Sequence, residues 1–167
     1  MDIRELTATL SVAPQITPAD VAQIANAGFK TIISNRPDGE EATQPPSAEI
    51  EAAARIAGLD FIAQPVVSGA ISDADVDAFT KILGGARGPV LAFCRTGTRC
   101  TMLWALSEAR TQSPDSLVAT AKQAGYDLTA LKPRLRERHQ AGADSSGASS
   151  MRTFDIVIVG GDAASRT

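Results

Sequence analysis

Hydrophobic residues along this 167-residue chain fall into two patterns: short, mainly apolar runs, and longer stretches in which they recur every three or four positions. The short runs at residues 29–34, 59–67 and 90–93 predict buried strands. The spaced stretches predict amphipathic helices, each with one face in the core. Short apolar strands that alternate with such helices are typical of an α/β domain. We therefore expect a mainly parallel central sheet with helices on both faces.

Capping residues place the ends of the predicted helices. Thr17, followed by proline, begins one helix, which ends at Gly28. Ser47 and Ser72 begin the next two, because serine is a favoured N-cap residue. Three further helices are predicted after the third strand: one beyond Cys94, one from Ser113-Pro114, and a basic one from Asp127 to near His139.

Composition divides the chain into three parts. Residues 1–140 carry the periodic pattern and form the predicted catalytic domain. Residues 141–152 are rich in serine, glycine and alanine, which is typical of a flexible linker. Residues 153–167 hold a hydrophobic strand followed by Gly160-Gly161-Asp162, and they resemble the opening of a flavin- or NAD-binding Rossmann unit.

This last segment departs from the Rossmann pattern G-x-G-x-x-G/A at its second glycine. Asp162 stands there, where the backbone must approach the pyrophosphate, and it adds negative charge. We interpret residues 153–167 as the truncated or degenerate start of a fused oxidoreductase. The alternatives are an edge strand on the domain or a disordered tail.

Charge and composition argue against several classes of function. A net charge of −3 and 4% aromatic residues argue against nucleic acid as the partner. No run approaches the roughly 20 apolar residues that a membrane helix needs, and the N-terminus lacks the pattern of a secretion signal. One histidine and two cysteines do not make a zinc site. We predict a cytoplasmic protein without a metal or cofactor.

The most informative segment follows the third predicted strand. Cys94 lies between that strand and the first turn of a helix, where backbone N–H groups and the helix dipole favour negative charge. Two arginines follow within five positions, so we expect a thiol pKa of roughly 3.5–7.5. The same turn forms an anion cradle, which indicates chemistry on phosphate or on sulfur oxyanions. The predicted anion-binding residues of this turn are Arg95, Thr96, Gly97 and Thr98.

Residues 94–99 read Cys-Arg-Thr-Gly-Thr-Arg, which resembles the active loop of rhodanese-type sulfurtransferases, often Cys-Arg-x-Gly-x-Arg. They are also close to the phosphate loop of tyrosine and dual-specificity phosphatases, Cys-x-x-Gly-x-x-Arg. Arg99 lies five positions after Cys94, whereas a phosphatase has its arginine at six. The sixth position is Cys100.

Over residues 6–135 the chain resembles a bacterial family of beta-lactamase hydrolase-like proteins, in their phosphatase-like domain. The segments that carry the resemblance are 35–40, 65–66 and 88–99. It implies a dual-specificity-phosphatase-like fold. Some members are fused to metallo-hydrolases that oxidise persulfides or to sulfide-oxidising flavoproteins, which would suit the Rossmann-like tail.

The resemblance also implies where a phosphatase of this fold keeps its general acid: on the loop after the strand that precedes the cysteine strand. Here that loop, residues 66–71, contains no acid. Asp38 is the best substitute, although Pro-Asp-Gly is also a standard turn sequence. A missing acid slows the release of an alkoxide by about 10²–10⁴, whereas sulfite or a thiolate leaves unaided.

The leading prediction is therefore a sulfurtransferase in which Cys94 and Arg99 are catalytic. Cys94 takes a sulfane sulfur from a small sulfur oxyanion, forms a persulfide, and passes it to a thiol acceptor. One alternative is a cysteine-dependent phosphatase that acts through a phosphocysteine. The other is a non-catalytic anion- or persulfide-binding adaptor for a fused or partner flavin oxidoreductase.

Two further residues, Arg36 and Cys100, have two interpretations each, and Thr101 has one. Arg36 either helps to bind the anion or forms a surface ion pair. Cys100 is either a buried thiol of the first helical turn or a redox partner that closes a disulfide with Cys94. Both families commonly place a hydroxyl after the arginine to stabilise the thiolate, and Thr101 is the candidate for that role.

Overall fold

A five-stranded sheet forms the centre of the domain in a computed structural model that describes residues 1–148. Its strands lie in the order β1-β2-β5-β3-β4. Only the β1–β2 pair is antiparallel, and the other three pairs are parallel. The strands are β1 (Arg4–Glu5), β2 (Leu10–Ala13), β3 (Thr31–Ser34), β4 (Asp60–Ala63) and β5 (Val90–Phe93). The predicted α/β class with a mainly parallel sheet is confirmed.

Six helices connect and cover these strands in the described part of the chain. They are α1 (Val21–Asn26), α2 (Ser47–Ile56), α3 (Asp73–Gly85), α4 (Thr98–Glu108), α5 (Pro114–Gln123) and α6 (Lys132–Ala148). Single 3-10 turns precede α1 and α6, at Pro18–Asp20 and Thr129–Leu131. None of these helices combines the length and the apolarity needed to cross a membrane.

The main departures from the predicted elements lie at the two ends of the domain. The hydrophobic pattern did not reveal β1, whose two residues are exposed, or β2, whose four buried residues include the polar Ser11. At the other end, α6 continues to Ala148 through a segment predicted as linker. Residues 149–167, with the Rossmann-like strand, lie outside the described residues.

Two hydrophobic clusters occupy the two faces of the sheet. Successive side chains of β5 alternate between them: Leu91 and Phe93 join the cluster with α1 and α2, while Val90 and Ala92 join the one with α3 to α6. All four β5 residues are buried, as expected for the central strand of a parallel sheet.

The carboxyl ends of the three inner strands bring distant segments of the chain together. The Cys94 N–H donates to the Ala13 carbonyl at the end of β2 (3.3 Å), and the Asn35 N–H beyond β3 donates to the Phe93 carbonyl (2.9 Å). Ligands gather at this edge in open α/β sheets. The residues that follow β3 and β5 are therefore neighbours in space.

Candidate active site

Cys94 follows β5 directly and is almost completely buried. The chain then makes one turn, and α4 begins at Thr98. In that turn the Gly97 N–H donates to the Cys94 Sγ (3.1 Å). The first N–H groups of a helix lack intrahelical acceptors and favour an anion. Strand, turn and helix together place a sulfur atom at the positive end of α4.

Glycine is required at position 97 for two reasons. Gly97 has φ +91°, the left-handed region that side chains disfavour. A Cβ there would also collide with the hydroxyl of Tyr126. That hydroxyl donates to the carbonyl oxygen of Thr96 (3.3 Å), which ties the turn to the segment after α5.

The thiol of Cys100 stabilises the thiolate of Cys94. A hydrogen bond from the Cys100 side chain, assisted by backbone N–H groups of Cys100, Thr96 and Gly97, lowers the pKa of Cys94 to about 6 against the opposing effect of burial. Burial, together with the hydrogen bond to Cys94 and its charge, raises the pKa of Cys100 well above its usual value. The pair is therefore a thiolate acceptor and a thiol donor at neutral pH.

This arrangement corrects the prediction for Thr101. Its buried hydroxyl donates to the Gly97 carbonyl (2.8 Å), four residues earlier in the chain, as serine and threonine often do in helices. The hydroxyl is occupied there, and Cys100 supplies the side-chain donor to the thiolate instead.

Arg99 is buried, and its two terminal nitrogens are held in place. Nη1 donates to the carbonyl oxygens of Val66 (3.0 Å) and Asn35 (3.3 Å), and both nitrogens reach the carboxylate of Glu40 (3.1 and 3.3 Å). Its Nε is buried and has no protein partner among the described residues. Unlike Nη1 and Nη2, which both contact Glu40, this N–H has no acceptor in the described part of the chain.

Two glutamates that were not predicted as site residues, Glu40 and Glu41, hold the arginines in place. Glu40 bridges Arg36 (2.8 Å) and Arg99, while Glu41 bridges Arg36 (2.9 Å) and Arg95 (3.3 Å). Burial opposes ionisation of Glu40, but hydrogen bonds and charge from Arg36 and Arg99 lower its pKa below the usual value. We call these five residues the Arg–Glu cluster. Their only sequence signal is a pair of acids four and five positions after Arg36.

The structure does not support Arg36 as an anion-binding residue. Its guanidinium is buried and donates to Glu40, to Glu41 and to the Gln15 side chain (3.0 Å). It forms an ion pair, as the alternative interpretation proposed, but a buried one. Its charge therefore stabilises the loop that carries Glu40 and Glu41 rather than a bound anion.

Asp38 is not placed as a general acid either. Its Oδ1 accepts from the Ser47 N–H (2.8 Å) and the Ser47 hydroxyl (2.7 Å), at the start of α2. A carboxylate there satisfies an N–H group at the positive end of the helix. The turn interpretation of Pro-Asp-Gly accounts for this residue.

A small cavity of about 150 Å³ lies beside Cys94. It has room for a compact tetrahedral anion. Four of the predicted residues besides Cys94 line it, and no aspartate or glutamate does. The lining residues are Ser68, Gly69, Ile71, Cys94, Arg95, Thr96, Thr98, Arg99 and Met102.

Comparison with known proteins places this site in a family. Residues 2–111 match the model of the beta-lactamase hydrolase-like protein, phosphatase-like domain. The chain belongs to this family. Two curated relatives carry the name beta-lactamase hydrolase-like protein: one from Agrobacterium fabrum, 37% identical over 93% of this chain, and one from Xylella fastidiosa, 34% identical over 95%. The chain spans only 36% and 37% of their lengths.

Solved structures extend the comparison to the fold. A Neisseria meningitidis protein named for an expected phosphatase activity is 43% identical, with a TM-score of 0.77 over 83% of this chain and 99% of that one. P. aeruginosa TpbA, solved in complex with pTyr, is 16% identical with a TM-score of 0.62 over 86% of this chain and 91% of that one. The dual-specificity-phosphatase-like fold is confirmed, and family and fold favour the phosphatase alternative over sulfur transfer.

Proposed function

We propose that this domain is a cysteine-dependent phosphatase. The observation that supports it best is the buried pair beside the 150 Å³ cavity: Cys94, whose pKa is about 6, and Arg99, whose Nε–H has no partner in the described part of the chain. A thiolate supplies the nucleophile, and the Arg99 Nε–H with the first N–H groups of α4 binds the phosphate oxygens.

The reaction then proceeds in two displacements. The Cys94 sulfur attacks phosphorus, the bond from phosphorus to the leaving oxygen breaks, and phosphate is held on sulfur. Water next attacks phosphorus and breaks the S–P bond, so that thiolate and dihydrogen phosphate are released. Cys100 donates to the sulfur in its anionic form, which stabilises both the attacking and the departing thiolate.

Phosphate release from an aryl phosphate tests this proposal. We expect Cys94→Ser to reduce release to background, because a hydroxyl at this site is not ionised. Arg99→Lys should lower kcat/KM by about 10²–10³, the cost of one oxyanion donor. Arg55→Lys, on the exposed face of α2, is the matched control and should leave the rate unchanged. Undiminished release by Cys94→Ser would contradict the proposal.

Sulfur transfer is the second candidate, favoured by a cavity lining without carboxylates and by the five-residue spacing to Arg99. In that reaction Cys94 attacks the outer sulfur of thiosulfate, sulfite leaves, and a persulfide remains on the enzyme. Thiocyanate formed from thiosulfate and cyanide, and lost in Cys94→Ser, would support it. The absence of both activities would support the third candidate, a non-catalytic adaptor whose partner would be a flavin oxidoreductase.

A further inference from the structure

The carboxylates nearest the cavity are bound to arginines. Glu40 contacts Arg99 and Arg36, and Glu41 contacts Arg95 and Arg36. For Glu41, the hydrogen bond from Arg36 and the charge of Arg95 lower the pKa below the usual value. Glu40 is shifted in the same direction. Both residues are therefore ionised at neutral pH and hold no proton to donate.

Carboxylates on the flanking loops are also engaged elsewhere. Asp38 is bound to Ser47 at the start of α2. Asp73, at the start of α3, contacts Arg134 and Arg138 of α6 (both 3.2 Å), so its carboxylate is bound to side chains of that helix. The loop that carries the acid in phosphatases of this fold contributes Ser68, Gly69 and Ile71 to the cavity instead.

An exposed cation lines the same cavity. Arg95 lines the cavity with 62% of its side chain exposed, and its one ion pair among the described residues is the 3.3 Å contact with Glu41. A guanidinium cannot protonate a leaving group, because it does not lose its proton in proteins. It does stabilise a group that departs with a negative charge.

We infer that the substrate of this site carries its phosphate on a weakly basic oxygen, which departs as an anion without taking a proton from the protein. This inference rests on the proposed phosphatase function. Aryl esters, acyl phosphates and phosphoanhydrides share that chemistry, whereas alkyl esters do not. In the first step the thiolate of Cys94 gives its electron pair to phosphorus, and the P–O pair leaves on oxygen beside Arg95.

The dependence of kcat/KM on the leaving group tests this inference, because kcat/KM reports the step in which the P–O bond breaks. The substrates are nitrophenyl, halophenyl and phenyl phosphate, an alkyl phosphate, acetyl phosphate and pyrophosphate. We expect kcat/KM to fall steadily as the leaving oxygen becomes more basic, with the alkyl ester about 10²–10⁴ below phenyl phosphate. Acetyl phosphate and pyrophosphate distinguish acyl and anhydride substrates from aryl esters.

Two variants make the test independent of any one substrate. If Asp38 or Asp73 donated a proton, Asp38→Asn or Asp73→Asn would steepen the dependence on the leaving group and remove the basic limb of the pH–rate profile. We expect neither change. Equal rates for nitrophenyl and phenyl phosphate, or a steeper dependence in either variant, would overturn the inference while phosphatase activity stands. No release from any substrate would overturn the phosphatase proposal itself.

Discussion

At the scale of single residues, Cys100 is the most informative departure, because related loops commonly carry a hydroxyl at this position. A serine hydroxyl and a cysteine thiol can both donate to a thiolate, but only the thiol can also be oxidised onto it. Cys100 is fully buried against Cys94, and burial together with that contact raises its pKa, so it remains a donor over the working pH range. One side chain thus bears on both nucleophile activation and redox chemistry.

Removal of that donor should raise the pKa of Cys94. The rate of alkylation by iodoacetamide as a function of pH reports the thiolate, with an expected midpoint near 6 in the native protein. Cys100→Ala should move the midpoint towards about 8.5, the value of an unperturbed cysteine. Cys100→Ser keeps a donor and should stay near the native value. An unchanged midpoint in Cys100→Ala would show that backbone N–H groups alone set the pKa.

The redox interpretation of Cys100 stays a prediction, and peroxide tests it. The Cys94 thiolate reduces hydrogen peroxide and becomes a sulfenic acid, and the Cys100 thiol then displaces water to form a disulfide. Thiol reductant should restore native activity after exposure to peroxide. Cys100→Ser lacks the second thiol, so we expect its loss of activity to become irreversible at a lower peroxide concentration than in the native protein. Equal sensitivity and equal recovery in both proteins would remove the hypothesis.

At the scale of elements, the loop between β3 and α2 positions the arginine that α4 carries. Arg36 and Glu40 lie in this loop, and Arg99 lies in the first turn of α4, 59 residues beyond Glu40. The Asn35 carbonyl of the same loop and the Val66 carbonyl beyond β4 complete the hold on Arg99. The loop is therefore part of the site although the described cavity is lined by other segments.

We expect Glu40→Gln to lower the free energy of unfolding by about 1.5–3 kcal/mol, the range for a hydrogen bond to a charged group. The folded-state pKa of Glu40 lies below its ordinary value of 4.5, so the ionised carboxylate stabilises the fold above that value. The contribution is lost as the pH falls through the folded-state pKa. Urea unfolding between pH 7 and pH 3 should show a smaller loss in Glu40→Gln than in the native protein, because Glu41, Asp73 and other ion-paired carboxylates still titrate in the variant.

Glu51→Gln is the matched control for that experiment, because Glu51 forms an exposed ion pair with Arg55 one turn along α2. An exposed helix pair contributes about 0.3–0.5 kcal/mol. If both variants lost equal stability at neutral pH, the buried arginines would not depend on Glu40.

At the scale of the whole molecule, α6 closes the domain over α4 and α5. Gly142 belongs to the segment whose composition is typical of a linker, yet it lies within α6. A Cβ at this position would lie 2.5 Å from the carbonyl oxygen of Arg110. Glycine serves here for close approach of two backbones, which composition alone does not distinguish from flexibility.

Gly142→Ala should therefore destabilise the protein by about 1–3 kcal/mol, the cost of overpacking against backbone that cannot move aside. Gly84→Ala is the control, since Gly84 also lies in a helix but a Cβ there meets nothing within 4 Å. That variant should be stabilised by up to about 1 kcal/mol from helix propensity. Thermal unfolding of both variants measures the difference, and a neutral Gly142→Ala would contradict the close packing of α6.

Sequence alone was sufficient for features that depend on neighbouring residues. The α/β class, the strand at 90–93, the turn that presents Cys94 and the positive φ of Gly97 all follow from local periodicity and backbone sterics. The pKa of about 6 for Cys94 lies within the expected range, but its largest contributor is the Cys100 side chain rather than the two arginines on which the expectation rested.

The tertiary structure decided what each charged side chain does. The Gln15 partner of Arg36 and the Glu40 partner of Arg99 come from loops that meet only because the carboxyl ends of parallel strands share one edge of the sheet. Residues such as Asp38 and Arg36 have the right chemistry for a catalytic site, yet their hydrogen bonds place them in its supporting structure. Spacing along the chain does not carry that information, because a side chain's partner is set by distance in space.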